Sequence, residues 1–185
     1  MCFQYLNGGI NVGDRFATQI EIGGCLASSK IADLIDAINS ESLSLKWEDA
    51  PVNIKSLNDF YTCINDKTKT IFLNDLERSQ GDISSLEGAC IDLQLTWKTI
   101  VEPKYEYNGE LRFFSPETGL IELECDADGH QIAPQEELKE ILQLICHSTL
   151  LSLSVQIQEK INQAIGKLEK LTQEFVVPAF EIMEK

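Results

Sequence analysis

The sequence predicts an α+β domain with a mixed or antiparallel sheet, helices on one face of that sheet, and a long amphipathic helix at the C-terminus. Short segments with alternating apolar residues are interspersed with segments whose apolar residues recur every three or four positions. The first pattern is typical of strands and the second of helices. A middle region rich in β-branched and aromatic residues adds a meander of strands.

Strand and helix patterns alternate over the first half of the chain. The strand patterns cover 16–22, 43–47 and 70–73, and the helix patterns cover 31–38, 57–64 and 83–93. The glycine pair Gly23-Gly24 should end the first strand, because adjacent glycines favour turns. Each helix pattern also begins near a residue that can cap it. The expected caps are Ser28 or Ser29, then Ser56 with Asp59, then Ser84 with Glu87.

The region from Thr96 to Glu124 predicts three consecutive antiparallel strands. Asn108-Gly109 fits the two-residue turn that joins the first two strands, because both positions of a type I′ turn need positive φ. Residues 116–119 predict the second turn, and residues 126–129 end the meander.

The residues from 148 to 185 predict an amphipathic helix. Apolar residues recur alternately four and three positions apart, as along the contact line of a coiled coil. The residues expected to make the contact are Ile157, Ile161, Leu168, Leu171 and Phe175. This helix packs on its own domain, pairs with a second copy or binds another protein, and the pattern alone does not separate the three. Residues 149–157 also alternate as in a strand, although the helix continues the same apolar line.

These elements predict one α+β domain over 1–147, followed by the helix over 148–185. Mixed strand and helix order favours an antiparallel or mixed sheet. The arrangement we expect is a split βαβ of ferredoxin-like type, elaborated at its C-terminus.

The charge of the chain limits its partners. Thirty acidic residues against fifteen basic ones leave a formal net charge of −15. Proteins that bind nucleic acids directly must neutralise phosphates with Lys and Arg, so such binding is disfavoured, as is docking on anionic membranes. A basic protein partner is the class that this surface favours.

Localisation and redox state follow from simpler features. No apolar run approaches the length of a membrane span, and the N-terminus lacks a secretion signal, so we expect a cytoplasmic protein. The six cysteines lack the close spacing of a zinc site or a redox pair. Cys25, Cys90 and Cys125 lie in or beside apolar patterns, which predicts buried, reduced thiols.

Three local patterns suggest chemistry, and each has a simpler explanation. Asp126, Asp128 and Gly129 resemble the start of a calcium loop, but the twelfth position lacks the required glutamate, so a polar turn is favoured over a metal site. Gly23-Gly24 lacks the remainder of a phosphate-binding motif. Cys146 and His147 are adjacent, and adjacent helical residues point about 100° apart, which disfavours a catalytic dyad. No metal or cofactor is expected.

The sequence therefore favours a non-catalytic interaction or regulatory protein whose C-terminal helix either dimerises the chain or completes its core, and a homodimer is the expected assembly. One version of this role is to neutralise a basic partner protein, as immunity proteins and DNA-mimicking inhibitors do. The alternative is a small hydrolase or transferase that uses paired carboxylates, since thirty acidic residues make some close pair inevitable.

Overall fold

A computed structural model describes residues 15–104, 107–132, 139, 162, 165–166 and 175–184. The described residues form an α+β fold with an open sheet of six strands and with three helices. The strands are β1 (Arg15–Ala27), β2 (Ile71–Ser79), β3 (Thr96–Val101), β4 (Gly109–Ser115), β5 (Gly119–Cys125) and β6 (Phe180–Met183). The helices are α1 (Ile31–Glu41), α2 (Leu57–Cys63) and α3 (Ser84–Asp92). None of these helices is long and apolar enough to cross a lipid bilayer.

The sheet has the strand order β2-β1-β3-β4-β5, and all neighbours on this path are antiparallel. Strand β6 pairs with the C-terminal part of β1 and is parallel to it. The expected ferredoxin-like arrangement is wrong, because its split βαβ unit needs parallel central strands whereas β1 and β3 are antiparallel.

One face of the sheet carries the main hydrophobic core. Ile22 lies opposite Trp97, and Trp97 lies opposite Phe114, so these side chains share a face. All three helices contribute buried residues to the same core, among them Leu34, Phe60 and Leu86. Trp97 stacks on Phe114 with ring centroids 6.3 Å apart. We call this the helix-covered face.

A smaller core lies on the opposite face. It contains Ile100, Leu111, Phe113, Cys125 and Phe175, with Ile121 and Leu123 packed against it. Phe175 contacts Phe113 with ring centroids 4.9 Å apart. Both faces of β3 are therefore packed, as are both faces of β4 around Phe113 and Phe114, and this explains the nearly continuous burial of β3.

The predicted strand at 43–47 is wrong. Ser44 forms a single bridge to Asn74 of β2, with two backbone hydrogen bonds of 2.8 Å. The chain then turns, since Glu48 has φ of 67° and the Asp49 N–H donates to the Lys46 carbonyl at 3.2 Å. Leu43 is buried in the core and Trp47 is half-exposed, so the apolar alternation here comes from one core residue followed by a turn and not from a strand.

The three predicted caps have different outcomes. Ser56 caps α2 as expected, accepting a hydrogen bond from the Asp59 N–H at 3.2 Å. Neither Ser28 nor Ser29 caps α1, because both belong to a 3₁₀ turn, Ser28–Lys30, that precedes the helix. At α3 the carboxylate of Asp82, and not Ser84, accepts the first free N–H.

The three-stranded meander is confirmed as β3, β4 and β5, but its first turn is not at Asn108-Gly109. Val101 pairs with Glu110, and Lys104 and Tyr107 exchange backbone hydrogen bonds, so Asn108 and Gly109 already belong to the returning segment. Gly109 is needed for a different reason. A Cβ there would lie 2.8 Å from the carbonyl oxygens of both Val101 and Cys125.

The C-terminal helix predicted to run to residue 185 is wrong over its last part. Residues 175–179 have no regular secondary structure, and Phe180–Met183 is a strand. Apolar Phe180 and Ile182 alternate in burial with their neighbours, which is the period of a strand. Asn162, Ile165 and Gly166 are helical. The predicted division at 147/148 lies outside the described residues.

The glycine pair Gly23-Gly24 does not end β1, which continues to Ala27. Gly24 adopts φ of 107°, a conformation that favours glycine, and the strand continues because β6 pairs with it from Gly24 onward. The prediction failed because the partner strand lies far away in the sequence.

Candidate functional site

The candidate site is a groove on strands β4 and β5, and its glutamates lie on the helix-covered face of the sheet. It has a volume of about 560 Å³ and is lined by Tyr107, Asn108, Glu110, Glu122 and Glu124, among others. We call it the glutamate groove.

Strand register brings the three glutamates together. Glu110 of β4 lies directly opposite Glu124 of β5, and Arg112 lies opposite Glu122. Directly opposite residues of an antiparallel pair point to the same face. Three carboxylates and one guanidinium therefore project from the same side of this hairpin, where the apolar face of β1–β3 gives way to charge.

Arg112 is directed towards the helices and is not shared equally among the glutamates. Its Nε donates to Glu87 of α3 at 2.9 Å, its Nη1 to Glu110 at 2.8 Å, and its Nη2 to the Gly81 carbonyl at 3.1 Å. Arg112 and Glu87 are almost fully buried, whereas the Glu110 side chain is 44% exposed. This arrangement fixes one wall of the groove to α3.

The other two glutamates are more open. Glu124 accepts a hydrogen bond from the Asn108 amide at 2.9 Å. Within the described residues, no hydrogen bond or ion pair reaches the exposed carboxylate of Glu122. Tyr107, at the rim, is 52% exposed and makes an edge-to-face contact with Phe16 at 6.2 Å. The groove thus offers hydrated negative charge beside an exposed aromatic ring.

The Asp126–His130 turn, which suggested calcium, forms a compact polar turn. One Asp126 carboxylate oxygen accepts the N–H groups of Asp128 at 3.0 Å and His130 at 2.8 Å. The ligand atoms of Asp126, Asp128 and His130 all lie within 4.8 Å of one another. Hydrogen bonding, first from the His130 N–H, lowers the pKa of Asp126. Because the carboxylate holds the turn together, turn formation alone accounts for this cluster.

The described cysteines are free thiols and differ in exposure. Cys90 and Cys125 are buried as predicted, and burial raises the pKa of Cys90 to about 12 and that of Cys125 to about 11. Neither is a thiolate near neutral pH, so neither has the character of a nucleophile. Cys25 is exposed, contrary to the prediction, because its side chain points outward beside Glu181.

The residues predicted to form the helical contact are placed only in part. Ile157, Ile161, Leu168 and Leu171 lie outside the described residues, as do Cys146 and His147. Phe175 is buried in the smaller core of the domain itself. The dimer through this segment stays a prediction.

Comparison of the chain with family models, with curated proteins and with solved structures returns no match. The site must therefore be interpreted from its own chemistry. The apolar and turn patterns of the sequence did not indicate the groove. The available signal was that charged residues 110, 112, 122 and 124 lie on one face of a meander whose other face is apolar.

Proposed function

We propose that this protein is a non-catalytic interaction protein that binds a basic protein partner through the glutamate groove. The observation that carries the proposal is the set of three glutamates facing the same way on β4 and β5, only one of which is ion-paired within the described residues. Such a surface matches lysine and arginine side chains.

Electrostatics supports a basic partner on two scales. The net charge of −15 attracts cations over distances comparable to the screening length, which is about 8 Å at physiological salt. The groove then offers fixed acceptors at short range, where charged hydrogen bonds discriminate between partners. Long-range charge would speed the encounter, and the groove would select the residue that docks.

The composition of the groove also suits a protein contact. Tyrosine is enriched at the energetic centres of interfaces because it combines apolar area with a polar tip. Tyr107 is exposed beside Glu124 and Asn108, and its ring can pack on the aliphatic stem of a bound lysine or arginine. We expect this contact to be made in the cytoplasm, as the sequence indicates.

The alternative, a hydrolase or transferase with paired carboxylates, would use the same strands. Glu110 and Glu124 are directly opposite, as such a pair requires. Both are already held as acceptors, Glu110 by Arg112 and Glu124 by Asn108. A carboxylate that already accepts a hydrogen bond from a neighbouring donor is a poor proton donor, so binding is favoured over catalysis.

The proposal is tested with a fluorescent polylysine peptide and two variants that remove the same number of charges. Glu122→Gln with Glu124→Gln should weaken binding roughly tenfold at low salt. Asp36→Asn with Asp92→Asn changes exposed carboxylates on α1 and α3 and should change affinity by less than about twofold. Equal losses in the two variants would mean that net charge alone attracts the peptide. Affinity that does not change with salt would also contradict the proposal, because charge attraction is screened.

A further inference from the structure

The C-terminal strand is attached to the sheet differently from the other described strands. Strand β6 pairs with β1 in parallel, over Gly24–Ala27, and β1 is its one strand neighbour within the described residues. The other neighbouring strands form longer antiparallel ladders. Short parallel pairing is less stable per residue, and terminal segments open at lower free energy than central strands.

Strand β6 lies in a second groove, separate from the glutamate groove, and this groove exists because Gly23 has no side chain. A Cβ on Gly23 would lie 1.9 Å from the carbonyl oxygen of Pro178 and 3.0 Å from a methyl group of Val177. Gly23 therefore leaves the space in which the incoming backbone rests. The next N–H, that of Gly24, donates to the Ala179 carbonyl at 3.2 Å. The end of β1 around Gly23 and Gly24 is therefore shaped to accept the backbone of an extended segment.

Side chains add specificity to the backbone contact. Phe180 is buried and meets Phe60 of α2 edge to face, with ring centroids 5.8 Å apart. Ile182 packs against the same main core, whereas Met183 is largely exposed. The N–H of Phe180 donates to the Lys69 carbonyl at 2.7 Å. These contacts suit an extended segment with an aromatic residue followed two positions later by an aliphatic one, and strand-addition sites use such side-chain pockets for specificity.

We propose that this groove is an exchangeable strand-acceptor site, and that the C-terminal segment of a second copy can occupy it. An identical segment makes identical contacts, so exchange between copies loses none of them. The proposal does not depend on the glutamate groove, since none of its residues belongs to that site.

The full chain and a synthetic probe test the acceptor. The probe is a fluorescent peptide of residues 175–185, offered to a Phe180→Ala chain whose own segment is weakened. We expect saturable binding. The peptide should bind the wild-type chain at least about tenfold more weakly, because the chain's own segment competes for the groove. It should bind a chain with both Phe180→Ala and Gly23→Ala equally weakly, because the added methyl group obstructs the groove. A peptide with Phe180→Ala should not bind. A folded Phe180→Ala chain that ignores the probe would overturn the proposal.

Two measurements on the wild-type chain keep the proposal testable if Phe180→Ala does not fold. Hydrogen exchange at Phe180–Met183 should be faster than at Ile20 and Ile22, and exchange at the same rate would show a fixed strand. Sedimentation should show a dimer that grows with concentration and that Gly23→Ala suppresses. A chain that remains monomeric at every concentration would exclude a second copy as the occupant.

Discussion

The helix-covered face of the sheet differs sharply between its two halves. Over β1–β3 the side chains that point to this face include Ile22 and Trp97, both buried beneath the helices. Over β4 and β5 the same face changes from Phe114 to the glutamate groove. One continuous surface is thus dry and apolar at one end and hydrated and acidic at the other.

This difference separates residues that hold the fold from residues available for function. Burial of apolar area stabilises the β1–β3 half, at about 25 cal/mol per Å². The glutamates contribute no such burial, and Glu110 and Glu124 place like charges opposite each other, which opposes folding. These are the properties that we expect of the proposed binding surface.

The largest expected effect lies in the apolar half. Trp97→Ala removes a ring that is 1% exposed and should lower the free energy of unfolding by about 3–5 kcal/mol. Leu120→Ala, on the same face of β5, removes a half-exposed side chain and should change it by less than about 0.5 kcal/mol. Urea unfolding of both variants measures the contrast. Similar losses would mean that the acidic half is packed after all.

The next effect lies at the boundary between the halves. Arg112→Leu leaves the buried carboxylate of Glu87 without its guanidinium and should cost about 3 kcal/mol. Replacing Glu87 by leucine as well removes the unpaired charge, so the double variant should recover much of that loss. Urea unfolding of the two variants tests this. A double variant less stable than Arg112→Leu would contradict the buried-pair account.

A smaller effect concerns the start of α3 and depends on pH. The Asp82 carboxylate accepts the Ser84 N–H at 2.9 Å, and this bond, the largest cause, lowers the pKa of Asp82 below its ordinary value of 3.8. The ionised Asp82 carboxylate therefore stabilises the fold fully at pH values above 3.8, and this stabilisation is lost as the pH falls through the lowered pKa of the folded state. Asp82→Ala should cost about 1 kcal/mol at pH 7. Thermal unfolding should show that the stability difference between the wild type and Asp82→Ala shrinks in strong acid. A difference that grows in strong acid would contradict the role of Asp82 as the cap of α3.

The smallest effect is a gain in stability within the acidic half. Glu124→Gln keeps an acceptor for Asn108 while removing the charge opposite Glu110. The free energy of unfolding should rise by about 0.3 kcal/mol at low salt, and the gain should fade as salt screens the repulsion. Glu117→Gln, in the turn between β4 and β5, also removes an exposed charge and serves as the control. A loss of stability would show that the charge at Glu124 is needed for packing.

Local pattern predicted most elements but not their connections. The apolar stripe of α1 and the Ser56 cap of α2 were predictable because their partners lie a few residues away. The continuation of β1 past Gly24 was not, because β6 lies at the other end of the chain. Gly109 was misread for the same reason, since its contacts with Val101 and Cys125 come from neighbouring strands.

The glutamate groove shows the same limit for function. Composition predicted an acidic surface, and the meander pattern placed Glu110, Glu122 and Glu124 on strands. Whether these glutamates lie opposite one another depends on the strand register. The register of β3 and β4 differs from the expected one because the first turn is not at Asn108-Gly109. The net charge could indicate the sign of a partner's charge but not the place where that partner binds.

The central claim is that a basic partner docks on the acidic half of this face. The most direct measurement is a titration of the isotope-labelled chain with the polylysine peptide, followed by amide chemical shifts in an NMR spectrum. We predict saturable shifts concentrated at residues 107–110 and 122–124, with α1 and α2 almost unchanged. Small shifts spread evenly over all exposed acidic residues would contradict a defined site.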